Sequence, residues 1–159
     1  MTDIKDPDNT LIMETSKGEV VIAMRQDLAP NHVARIKELV RDGFYDGIKF
    51  HRVIGGFMAQ TGCPQGTGTG GSGKKLKAEF SDATHRRGTV SMARAQDPNS
   101  GDSQFFICFD DAPHLNRQYT VWGTVIDGMQ NVDAIQKGEP PREPDKIVSM
   151  KVAADAARA

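Results

Sequence analysis

Apolar positions along the chain recur mostly in short, glycine-broken runs and only twice at helical spacing. Residues 11–15 and 19–24 are apolar-rich and parted by Ser16, Lys17 and Gly18, which predicts a hairpin closed by a glycine turn. Pro30 followed by Val33, Ile36, Leu39 and Val40 has the spacing of one helical face. Proline suits the first turn of such a helix and Asp42-Gly43 supplies its stop. The runs 49–54, 57–61, 89–93, 104–109 and 120–126 are rich in aromatic and β-branched residues and predict five more strands. Met129, Val132, Ala134 and Ile135 mark a second helix over 129–136, ended by Lys137-Gly138. A turn stiffened by Pro140, Pro141 and Pro144 then leads to a last strand over 146–152. Short strands with two helices far apart in sequence do not repeat a βαβ unit, so the pattern predicts a mainly β fold, an antiparallel barrel or sandwich. Residues 1–9 read as an extension before the domain, and 153–159 as a tail expected to fray.

At 159 residues the chain fits one domain, which buries roughly two thirds of its unfolded surface without needing staples. Twenty Lys plus Arg against 21 Asp plus Glu leave a net charge of -1, so bulk electrostatics points to neither nucleic acid nor an anionic membrane. With 38% hydrophobic and 26% charged residues the composition is that of a globular protein rather than a disordered one. Asp3, Lys5, Asp6, Pro7 and Asp8 stand where a signal peptide needs an apolar run, and a cytoplasmic location is expected. Cys63 and Cys108 lack a CxxC context and read as two reduced thiols.

Several motifs tempt and then fail. Gly68, Gly70 and Gly73 form a formal G-x-G-x-x-G, and Gly68, Gly73 and Lys74 almost a phosphate loop, but Lys75 stands where Ser or Thr would bind magnesium. The basic stretch 74–80 shows no helix whose N-terminal amides could face an anion, so a surface loop is the expectation. No serine sits in a G-x-S-x-G elbow, and His32, His51, His85 and His114 have no metal-ligand spacing, so no metal and no cofactor are expected.

The stretch 50–60, Phe-His-Arg-Val-Ile-Gly-Gly-Phe-Met-Ala-Gln, is different. Strand alternation places Phe50, Arg52 and Ile54 on one face and His51 and Val53 on the other, so an arginine sits among apolar neighbours. Taken alone, a snorkelling Arg52 is the simpler reading. Ser-Met-Ala-Arg at 91–94, Ser-Gln-Phe-Phe-Ile at 103–107, His114-Leu115-Asn116-Arg117-Gln118-Tyr119 and the G-T-V-x-x-G-M run at 123–129 follow in order. These motifs, over about residues 10–152, resemble the signatures of the cyclophilins.

The resemblance implies a peptidyl-prolyl cis-trans isomerase on a closed eight-stranded antiparallel β-barrel capped by two α-helices, with its site on the outer face of the barrel. Closure would remove sheet edges. It implies Arg52 as the catalytic residue. Phe57, Met58, Phe106 and Leu115 would hold the proline ring, Gln60 would orient Arg52, and Gln104 would line the cleft. Backbone groups near Ala93 and Arg94 would pair with an extended peptide. Three positions depart from the best-known members: His114 replaces a tryptophan, Tyr119 a histidine and Arg94 an asparagine. An imidazole offers less contact area than an indole, so cyclosporin-type cyclic peptides are expected to bind with reduced affinity. The implied partners are proline-containing segments of client proteins, with the chain a monomer. The alternative is a non-catalytic proline-peptide binding module or chaperone, and the presence of Arg52 favours the enzyme.

Overall fold

The structure, a computed structural model, describes residues 6–68 and 70–156. A 3-10 turn, Pro7–Asn9, leads into the predicted hairpin of β1 (Thr10–Thr15) and β2 (Gly18–Met24), paired from Thr10 opposite Ala23 to Thr15 opposite Gly18. Helix α1 (Pro30–Arg41) follows, then β3 (Arg52–Ile54), β4 (Met58–Thr61), β5 (Thr89–Met92), β6 (Phe105–Cys108), β7 (Val121–Asp127), α2 (Met129–Asp133), β8 (Ile147–Val152) and α3 (Ala153–Ala156). The eight strands form one antiparallel sheet in the order β3-β4-β6-β5-β7-β2-β1-β8.

The sheet curls, but its ladder is open between β3 and β8, which corrects the expectation of full closure. Strand β3 is only three residues long, and residues 49–51 before it do not keep strand geometry. The two edges are tied instead by isolated bridges, Lys49 with Lys146 and Val53 with Gly138. Phe50 N–H donates to Asp145 O at 2.8 Å and Ile147 N–H to Ile48 O at 2.8 Å. The same irregularity overturns the predicted alternation: Phe50 and Val53 both enter the main core, while Arg52 points outward.

That core gathers Leu11, Met13, Ile22, Phe50, Phe105, Ile107, Trp122 and Met150 from the sheet and Val33, Ile36 and Leu39 from α1. Phe105 is held edge-on by Tyr45 and Trp122, with ring centroids 5.5 and 5.4 Å apart. Burial of each such side chain contributes about 1.5–3 kcal/mol. Strand β6 carries four consecutive apolar residues because both of its faces are covered. Phe105 and Ile107 face the main core, and Phe106 and Cys108 belong to a second cluster with Met58, Ala112 and Leu115.

Helix α1 begins without a side-chain cap of its own, since Ala29 precedes Pro30. Glu79 supplies one from a distant loop, accepting from the backbone N–H groups of Asn31 at 3.2 Å and His32 at 2.8 Å. Helix α2 is shorter than its apolar spacing predicts because the Gln136 N–H is diverted to Asp145 Oδ2 at 2.8 Å. Ala153–Ala156 does not fray: it continues from β8 as a helical turn, with Ala153 and Ala154 buried, while 157–159 lie outside the described residues. Among the described residues no helix is long and apolar enough to cross a membrane.

Candidate functional site

Strand register builds the site as one row across the outer face of the sheet. Arg52 on β3 lies opposite Gln60 on β4, Gln60 opposite Phe106 on β6, and Phe106 opposite Ser91 on β5. Directly opposed residues share a face, so these four side chains are neighbours although they span much of the sequence. Beneath the row, the buried His85 ring stacks on Phe106, centroids 6.1 Å apart, with Nε2 3.0 Å from Ser91 Oγ and Nδ1 3.1 Å from Asn116 Oδ1.

Around this row a cavity of about 100 Å³ is lined by Arg52, Phe57, Met58, Gln60, Ala93, Arg94, Phe106, Leu115 and Tyr119, apolar at its base and polar at its mouth. Its floor is Met58, Phe106 and Leu115. Arg52 stands at its edge, with Nε donating to Glu139 Oε1 at 2.9 Å and Nη1 to Gln60 Oε1 at 3.4 Å. An apolar recess with a charged donor at its mouth seats a small hydrophobic ring and offers hydrogen bonds to polar atoms beside it. Burial, and then the Arg52 charge, hold the His51 imidazole below its ordinary value against a hydrogen bond that Gln104 accepts. Next to the guanidinium, His51 is therefore neutral at neutral pH.

A relay of side-chain amides runs from Arg52 to the glycine loop. Gln60 Nε2 donates to Gln104 Oε1 at 3.0 Å, and Gln104 Nε2 donates to Gly68 O and Gly70 O, both at 2.9 Å. The loop walls a second cleft of about 310 Å³ that shares Gln60, Ala93 and Arg94 with the first and adds Lys75, Asp102 and Gln104. Four of its amides have acceptors within the protein. Gly68 and Gly70 donate to Cys63 Sγ at 3.3 and 3.2 Å, and Ser72 and Gly73 to the Asp102 carboxylate at 2.8 and 3.0 Å. A phosphate would have to displace that carboxylate, and no helix follows the loop. Burial pushes the Cys63 thiol up, but the N–H groups of Gly70, Thr67, Gly68 and Gln65 outweigh it and bring it down to about 7. Both cysteines are free, and burial raises Cys108 to about 12.

Of the residues singled out in the sequence, nine line the one cavity. Gln104 lies in the neighbouring cleft, and His114 sits exposed at the rim, its ring 5.5 Å from that of Phe57. Arg94 is more than a backbone pairing point. Its guanidinium lies 4.6 Å from the Tyr119 ring centroid and donates to the carbonyls of Gln118, Ala95 and Gln96, clamping two loops of the cavity wall. Sequence reasoning missed Glu139, which lies 87 positions from Arg52 in a proline-rich turn outside every motif. It also missed the part played by Cys63 and Asp102 in ordering the glycine loop.

A family model for cyclophilin type peptidyl-prolyl cis-trans isomerases matches residues 10–152. A probable peptidyl-prolyl cis-trans isomerase of Brucella suis is 52% identical over 94% of this chain and 85% of its own length. A peptidyl-prolyl cis-trans isomerase of Synechococcus elongatus is 47% identical over 92% and 97%. The crystal structure of a cyclophilin from Hirschia baltica superposes with a TM-score of 0.88 at 35% identity, covering 94% of this chain and 76% of that one. A Cryptosporidium parvum cyclophilin type isomerase, crystallised in the presence of the dipeptide Ala-Pro, gives 0.84 at 30% identity over 90% and 98%. The family match over residues 10–152, with relatives at this identity and coverage, places this chain in the cyclophilin family of peptidyl-prolyl cis-trans isomerases.

Proposed function

We propose that the cavity holds the prolyl ring of an Xaa-Pro segment and that Arg52 catalyses rotation about the bond preceding it. The observation that carries this reading is the guanidinium of Arg52 at the mouth of an apolar recess lined by Phe57, Met58, Phe106 and Leu115. Rotation about the imide bond faces a barrier of about 18–20 kcal/mol because the C–N bond has partial double-bond character. In the twisted state resonance is lost, and the prolyl nitrogen gains a lone pair that accepts a hydrogen bond. A permanently charged donor binds that state better than either planar one, which is the condition for acceleration.

Uncatalysed exchange takes roughly tens of seconds, so reaching milliseconds asks for about 5–6 kcal/mol. A single charge-assisted hydrogen bond supplies about half of that at most, and the rest falls to desolvation and orientation in the cavity. Gln60, held by Gln104, orients the guanidinium, and no proton is transferred. His114, Ala93, Arg94 and Tyr119 frame the path of the peptide.

The substrates are proline-containing segments of folding or flexible client proteins, and the chain acts as a monomer in the cytoplasm through the domain 10–152. His114 at the rim gives cyclosporin-type cyclic peptides reduced affinity. The division of labour is tested by steady-state isomerisation of a short Xaa-Pro peptide with Phe106→Ala. Loss of uniform binding surface should raise KM about tenfold or more and change kcat much less. A variant with unchanged KM would mean that the ring binds elsewhere, and binding without acceleration by the wild type would make the protein a proline-peptide binding module.

A further inference from the structure

The catalytic guanidinium is held at Nε, a different nitrogen from the Nη1 that meets Gln60, by a carboxylate that belongs to no motif of the site. Gly138 exchanges two hydrogen bonds with Val53, N–H to O in each direction at 2.8 Å, and this antiparallel bridge sets Glu139 opposite Arg52. The turn that does so depends on glycine. Gly138 has φ +147°, and a Cβ there would lie 2.6 Å from Pro141 Cα and 2.8 Å from Pro140 O. Glu139 Oε1 accepts from Arg52 Nε at 2.9 Å, whereas the contact of Nη1 with Gln60 is long at 3.4 Å.

Two points of attachment define a planar group; one long contact does not. With Nε tied to Glu139 and Nη1 leaning on Gln60, the guanidinium plane is fixed and the remaining N–H groups of Nη1 and Nη2 stay available. We infer that Glu139 is a positioning residue for catalysis, holding the Arg52 guanidinium by Nε so that its Nη groups face the prolyl nitrogen. The pair is exposed, with side chains 45% and 56% accessible, so neither charge is desolvated and the arrangement adds orientation with little effect on stability. This inference rests on Arg52 being the donor.

The test is kcat and KM for a short Xaa-Pro peptide with Glu139→Ala and Glu139→Gln, each made alone and in an Arg52→Lys background, with Arg52→Ala as reference. An exposed pair of this kind sets the scale, so Glu139→Ala should lower kcat about three- to fivefold and leave KM within about twofold. Glu139→Gln keeps an oxygen that accepts from Nε and should recover at least about half of the wild-type kcat. In the Arg52→Lys background, where Nε–H is gone, the second substitution should change nothing further. Wild-type or increased kcat in Glu139→Ala, or the same loss in the lysine background, would overturn the positioning role while leaving the donor role intact. Undiminished rate in Arg52→Ala would overturn both.

Discussion

Removing the distant cap of α1 gives a stability change that can be worked out from three contacts. Glu79 accepts from the N–H groups of Asn31 and His32 and from His32 Nδ1, the last at 2.6 Å. Its alanine variant loses a cap worth about 1 kcal/mol. It also loses a carboxylate at the positive end of a helix dipole, worth about 0.3–1 kcal/mol. The His32 side chain is 1% accessible, and stranding its Nδ1–H adds about 1–3 kcal/mol, reduced by whatever water enters the space of the partly exposed Glu79. The sum is about 2–4 kcal/mol, or roughly 6–12 °C in Tm for a chain of this length. Glu79→Gln keeps one accepting oxygen and should lose about half as much. Urea unfolding followed by circular dichroism measures both, with isomerase activity below the transition unchanged because Glu79 does not line the cavity. An alanine variant within about 0.5 kcal/mol of wild type, or a glutamine variant as weak as alanine, would refute the capping argument.

Burial holds His32, His51 and His85 below the ordinary imidazole value of 6.5. As pH falls below that value the unfolded chain takes up protons the folded chain refuses. The histidine contribution to stability should therefore be level above about pH 6.5 and fall below it, by up to about 1.4 kcal/mol per pH unit for each histidine that stays neutral. Urea midpoints at pH 7.5 and 5.5 check this, and equal or greater stability at the lower pH would contradict it. Thiolate absorbance should titrate with a midpoint near 7 from Cys63, and Cys63→Ser should abolish that step while Cys108 stays silent. His114→Trp should tighten cyclosporin binding, measured by calorimetry, because the rim gains contact area and an N–H donor beside Phe57. Unchanged affinity would place the determinant elsewhere.

The sequence was legible where a single strand or helix decides the outcome. The eight strands, α1 and the cavity residues follow from local runs and motif resemblance, since each motif lies on one strand or loop. What escaped depends on pairings between distant segments. Strand alternation puts Phe50 on the face of Arg52, yet the chain before β3 turns it into the core under a hydrogen bond to Asp145. Glu79 capping α1, Glu139 against Arg52 and Asp145 cutting α2 short are all acids whose partners lie on other elements. No local pattern marks such acids, because their role is fixed by register and loop path.

The most direct measurement is the cis-to-trans rate of a short Xaa-Pro peptide at low temperature, with wild type and Arg52→Ala compared at equal concentration. Arg52 is exposed and its truncation opens no cavity in the core, so the variant should keep the wild-type circular dichroism spectrum and Tm. The predicted result is fast exchange with wild type and a loss of about a hundredfold or more in kcat/KM for the variant, the scale of one charge-assisted hydrogen bond made only in the twisted state. A folded Arg52→Ala that isomerises as fast as wild type would contradict the donor role of Arg52.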